Sequence, residues 1–142
     1  MAILVFILVS VLRPVPPLGA TLNPYHEYVA DSATVTKLPA RGWATYYGDG
    51  IFARVVQNQI RNGNIDEDGC RECIGYAAML WPDDLGRTVC VNGYGPLWVV
   101  DSAAEGDRQA LIDKGWLIDI DWNTWTALGF WNGPTLVTVS EC

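Results

Sequence analysis

Three aspartates have the spacing and surroundings for acid–base chemistry. Asp119 and Asp121 stand two apart in the stretch LIDIDWNTW, and Asp101 ends the apolar stretch LWVVD. A carboxyl set among Leu, Ile and Trp is costly unless it has a partner or keeps its proton. An apolar frame raises a carboxyl's pKa, and a general acid needs that near neutrality. Carboxyls flanking a glycosidic bond are the usual apparatus for its cleavage. Other chemistries find little here. The chain has no G-x-S-x-G, no P-loop and no Gly-rich dinucleotide turn. Its one histidine, His26, falls in a proline-bearing stretch that reads as a linker, so a Ser/His or Cys/His triad has no base.

The cysteines point to structure. Cys70 and Cys73 form a CxxC, but Asp66, Glu67, Asp68 and Glu72 crowd it and disfavour a thiolate. Zinc would want a second close pair, whereas Cys90 and Cys142 are far apart. Cys70, Cys73, Cys90 and Cys142 are therefore expected in two disulfides, with three connectivities open. No metal and no other cofactor is expected.

The acids need elements to place them. On a strand, residues two apart share a face, roughly 6–7 Å apart. Asp119 and Asp121 share one only if the strand continues through both. The alternative, preferred here, is that Asp121 caps a short helix over DWNTWTALG, which Gly129 ends. Asp119 is then either a working acid or a hydrogen-bonded residue stitching the barrel. Upstream, GWATYYG reads as a strand closed by the turn GDG at 48–50. ARVVQNQI at 53–60 is ambiguous between strand and helix, and 61–69 is a loop. CIGYAAML is apolar, strand or helix; PDDLG and NGYGP are turns; RTVCVN, PLWVVDS, WLIDI and PTLVTVS are strands. DRQALIDKG is a short helix ended by Gly115. Many short strands with one or two short helices predict a small, mainly β, closed barrel.

Residues 2–12 are apolar apart from Ser10, and Arg13 with three prolines then breaks the run. The run is too short for a bilayer-spanning helix and fits a secretory signal over 1–20; an uncleaved anchor is the alternative. Residues 21–41 read as an extended linker or arm and 42–142 as the barrel domain. The net charge of −7 argues against nucleic acid and against anionic membrane surfaces. Seven Trp and six Tyr suit sugar faces as well as a core.

These residues resemble a known family. GWATYYG is similar to the opening strand of the double-psi β-barrel proteins related to rare lipoprotein A, the expansins and barwin. LWVVDS, LIDIDWNTWTALGF and PTLVTVS resemble their closing half: a strand ending in Asp, an Ile-Asp-Leu-Ser segment, a short helix and a Val-rich strand. The likeness spans about residues 42–140. It implies a six-stranded double-psi β-barrel and makes Asp119 the candidate acid in a groove, with Asp101 in support and Asp121 in the Ser position. Glu67 or Asp68 would stand for an upstream acid. Met79 occupies the place of a histidine that the bacterial enzymes carry in Ala-Ala-His. The expected role is a secreted or cell-envelope monomer that binds or remodels a wall polysaccharide, peptidoglycan-type. Trp43, Tyr46, Tyr47 and Trp122 would form the groove walls. The alternatives are a lytic transglycosylase-like enzyme using Asp119, and a non-catalytic protein-binding barrel. A plainer reading makes every Trp core and the aspartates barrel hydrogen-bonders.

Overall fold

The computed structural model describes residues 34–131 and 133–142; the leader and His26 lie outside them. Six strands close into a barrel: β1 (Ala40–Tyr47), β2 (Gly75–Met79), β3 (Thr88–Val91), β4 (Tyr94–Ser102), β5 (Trp116–Asp121) and β6 (Thr135–Ser140). Around the barrel they run β1-β5-β2-β4-β3-β6. The pairs β1/β5 and β2/β4 are parallel, and the other four are antiparallel. Both parallel pairs carry a register shift, between Trp43 and Ala44 and between Ala77 and Ala78. Such shifts twist and bend a strand, which closing so small a barrel requires.

Alternation along each strand sends small and branched residues inward. Ala44, Ala77, Met79, Val99, Ile118 and Val139 meet in the interior, each essentially without exposure. The opposite face of β2 and β4 is covered by α1 (Ile51–Arg61). Phe52 of α1 packs there with Ala78, Trp98 and Val100, and Val55, Val56 and Ile60 complete the contact. The segment 53–60, ambiguous in the sequence, is thus a helix: with Phe52 its apolar residues fall at three- and four-residue steps on the face that meets Trp98 and Val100. With α2 (Glu105–Asp113) and α3 (Trp122–Ala127) the α-helices among the described residues number three. The turn NGYGP is shorter than its composition predicts. Asn92 and Gly93 alone make it, both at positive φ, and β4 takes in Tyr94, Gly95 and Pro96.

The cysteines pair as Cys70–Cys73 and Cys90–Cys142. The second bridge joins β3 to the C-terminus beside the short β3/β6 ladder. Asp84, fully buried, adds a polar clamp nearby. It accepts from the Thr36 backbone N–H at 2.9 Å, the Thr36 hydroxyl at 2.6 Å and Arg87 at 2.8 Å. Arg87 then reaches Glu141 at 2.5 Å. One guanidinium so ties the segment before β1 to the turn before β3 and to the last residues.

Candidate functional site

Strand register assembles the acids. Asp119 on β5 lies opposite Thr45 on β1 and opposite Ala78 on β2, and Ala78 lies opposite Asp101 on β4. Thr45, Asp119, Ala78 and Asp101 therefore form one row across four strands. Ala78 belongs to the cluster outside the barrel, so the row faces outward. Neighbouring strands are about 4.8 Å apart, which separates the Asp119 and Asp101 backbones by roughly 10 Å. Ala78 stands between them, itself buried in the cluster that Phe52 of α1 forms with Trp98 and Val100.

Asp119 is held from one side. Its Oδ1 accepts from the Thr45 hydroxyl and, at 3.1 Å, from Trp116 Nε1, which also reaches Thr45 Oγ1 at 3.1 Å. Neither donor is a backbone amide, and Oδ2 has no hydrogen-bond partner among the described residues. Burial pushes the Asp119 carboxyl up to about 6; the Trp116 hydrogen bond opposes the rise and the charge of Asp101 adds to it. Asp119 is thus a carboxyl that holds a proton in mildly acid solution and has a free oxygen from which to deliver it.

Tyr47 connects the two acids. Two residues beyond Thr45 on the same side of β1, it stacks on Phe52 of α1 with centroids 4.7 Å apart. Its hydroxyl donates to Asp101 Oδ2 over 3.5 Å. Burial raises its pKa to about 12, and the charges of Asp119 and Asp101 push the same way, so it stays a neutral donor. Gln59 of α1 donates to Asp101 Oδ1 at 3.3 Å, and its own carbonyl accepts from Asn64 at 2.6 Å.

Asp121 takes the role its sequence position predicts, and β5 still runs through it. Its Oδ1 accepts from the Thr124 backbone N–H at 3.0 Å, while Oδ2 accepts from the Thr124 hydroxyl at 2.7 Å and from the Tyr76 backbone N–H at 2.8 Å. The choice between strand and cap was not exclusive: one residue does both, and its oxygens are filled.

The aromatic residues divide. Trp43, at 36 % exposure, lines a cleft of about 400 Å³ with Thr45, Leu111, Lys114, Trp116 and Pro134. That cleft adjoins Asp119 through Thr45 and Trp116. Trp122 lies beyond Tyr47, lining a second cleft of about 210 Å³ with Asp49, Tyr76 and Asp121. Tyr46 points to the other side of β1, its ring 4.9 Å from both Trp122 and Trp125. Trp43 and Tyr47 thus stand beside the acid row, Trp122 stands one cleft away, and Tyr46 supports Trp122. Met79 is fully buried in the interior, on the face opposite Ala78, so its side chain is turned away from the row. Glu67 lies on the loop before Cys70, where Asp68 pairs with Arg71 at 3.3 Å, both side chains well exposed.

Sequence reading did not single out Thr45, Trp116 or Gln59. Thr45 was within reach, because strand alternation sets it on the face of Trp43 and Tyr47. Trp116 was not, because a residue three before Asp119 reaches it only through the irregular register at the start of β5. Gln59 needed the ambiguous segment to be known as a helix.

Comparison with known proteins finds no match for this chain among family models, curated proteins or solved structures.

Proposed function

We propose that this chain is an exported carbohydrate-active barrel of the double-psi type, which binds a wall polysaccharide along the outward groove and presents Asp119 to it as an acid. Two interlocked parallel pairs, β1/β5 and β2/β4, in a closed six-stranded barrel support the double-psi assignment. Two disulfides fit an oxidising compartment, hence secretion or the cell envelope. Among the described residues no helix is long and apolar enough to cross a membrane. The protein acts as a monomer without a cofactor.

The observation that carries the reading is Asp119, partly buried, its pKa pushed up to about 6, with Oδ1 held by Thr45 and Trp116 of the Trp43 cleft and Oδ2 without a partner among the described residues. A sugar stacked on the Trp43 side brings its glycosidic oxygen to Oδ2. The proton passes to that oxygen as the bond to the anomeric carbon breaks. Asp101, across Ala78, accepts the proton of the attacking water or sugar hydroxyl as the new bond forms.

One observation favours a second reading. Asp101 is engaged on both oxygens, by Tyr47 and Gln59, which limits it as a base and fits a groove that binds without cleaving. Co-sedimentation with insoluble wall glycan tests what the two share. Both predict retention that Trp43→Ala weakens and Asp119→Asn leaves intact. No retention on any wall polymer would remove both in favour of a protein-binding barrel.

A further inference from the structure

The outer surface of β1 and β5 carries opposite charges at its two ends. Asp119 and Asp101 lie in the outward row of β5 and β4. At the Trp43 end stand two exposed cations, Arg41 and Lys114. Arg41 lies two residues before Trp43 on the same side of β1, so the strand carries Arg41, Trp43, Thr45 and Tyr47 outward in order. Lys114, just past α2, lines the Trp43 cleft itself. Neither forms an ion pair among the described residues, whereas Arg71 and Arg87 do. Asp113, next to Lys114 in the chain, accepts a hydrogen bond from Gln109 at 2.9 Å. In a chain of net charge −7, two cations without an ion pair among the described residues thus stand at one aromatic cleft.

The cleft's walls are Trp43, Trp116, Leu111 and Pro134, with Thr45 at the inner side and Lys114 as the one charged residue among the described lining residues. Trp116 and Thr45 are also the two donors to Asp119, so whatever fills the cleft lies next to the acid. Aromatic faces suit a sugar ring, and an ammonium with a nearby guanidinium suits an anion on that ring. We infer that the Trp43–Trp116 cleft is a subsite for a sugar bearing a carboxylate, held by Lys114 and assisted by Arg41, adjoining the bond presented to Asp119. A singly charged carboxylate matches one lining cation in apolar walls better than a doubly charged phosphate, which would need more donors. A carboxylate on the ring, as in a uronate, and one on an ether branch share this chemistry.

The inference rests on the glycan reading of the groove, and one experiment separates their failures. Binding of cellohexaose, carboxymethylated cellohexaose and hexagalacturonate is followed by tryptophan fluorescence at about 20 mM and about 300 mM salt. At low salt the inference predicts that at least one acidic probe binds about tenfold tighter than the neutral one. Lys114→Ala removes that preference, Lys114→Glu reverses it, Arg41→Ala reduces it, and high salt shrinks it. Preference for the uronate or for the ether branch names the source, and either supports the subsite. Equal binding of all three probes, unmoved by Lys114→Glu, overturns the subsite and leaves the glycan groove standing. Binding of none of them, and of no wall polymer, overturns both.

Discussion

Asp119 is where burial and function pull against each other. Its ordinary carboxyl pKa of 3.8 is raised to about 6, chiefly by burial. The folded state therefore holds its proton more tightly than the unfolded chain does. The resulting stability is complete below about pH 4 and is lost as pH rises through about 6. Solvent reaching the partly buried Asp119 tempers the cost of ionisation, which comes to about 2 kcal/mol at neutrality. Asp119→Asn removes the ionisable group, and the amide oxygen can still accept from Thr45 and Trp116. The variant should melt higher than wild type at about pH 7.5, and the gap should close by about pH 4. A residue kept only to stitch the barrel would show the opposite, a loss of stability on substitution at neutral pH. Asp101 is the second handle. Its charge adds to the rise at Asp119, so Asp101→Asn should move the Asp119 midpoint below 6 when its carboxyl carbon is titrated by NMR. An unchanged midpoint would mean that the two acids do not sense one another.

At the scale of elements, β5 and α3 depend on Asp121. Replacing it with Ala removes the cap of α3 and the acceptor for the Tyr76 N–H, a loss of about 1–2 kcal/mol in urea unfolding. Gly75 is small for the same reason. A Cβ there would come to 2.5 Å from Asp121 Oδ2 and would collide with the Thr124 hydroxyl. Gly75→Ala should therefore destabilise by a similar amount, and the two changes should not add, because both break one hydrogen-bonded group. This element was legible in advance: an Asp before a short apolar-periodic stretch ending in Leu-Gly is a local signal. The same holds for β1, β4 and β5, whose apolar stretches are bounded by turn residues. The helix α1 was not, because VV and a single Ile within eight residues satisfy either period until the opposing face of Trp98 and Val100 is known. The meeting of Asp119 with Asp101 was equally hidden. It depends on β2 running between β4 and β5, and strand order in a closed barrel is a property of the whole chain.

For the whole molecule, closure is the vulnerable step. The β3/β6 ladder is short, and the Cys90–Cys142 bridge with the Arg87–Glu141 pair stands beside it. That bridge spans 52 residues, and a loop of such length implies about 3–4 kcal/mol of stabilisation from constraint of the unfolded chain. The Cys90→Ser, Cys142→Ser pair should lose that much and should lose hydrogen-exchange protection first in β6. Cys70–Cys73, spanning only 3 residues, should matter little to global stability by the same argument. Composition had set the class of the molecule, a disulfide-bearing acidic domain rich in Trp. It could not assign the rings, since a Trp that plugs the barrel, such as the fully buried Trp125, and one that lines a cleft, such as Trp43, look alike in sequence.

The central claim is that Asp119 presents a proton to a wall glycan bound in this groove. It is tested most directly by incubating the protein with purified wall glycan across a pH series and identifying released fragments by mass spectrometry. The account predicts fragments from wild type, with the acid-dependent limb of release centred near 6, and none from Asp119→Asn, which still binds the polymer. Equal release by the variant, or a groove that binds glycan and releases nothing at any pH, would contradict it.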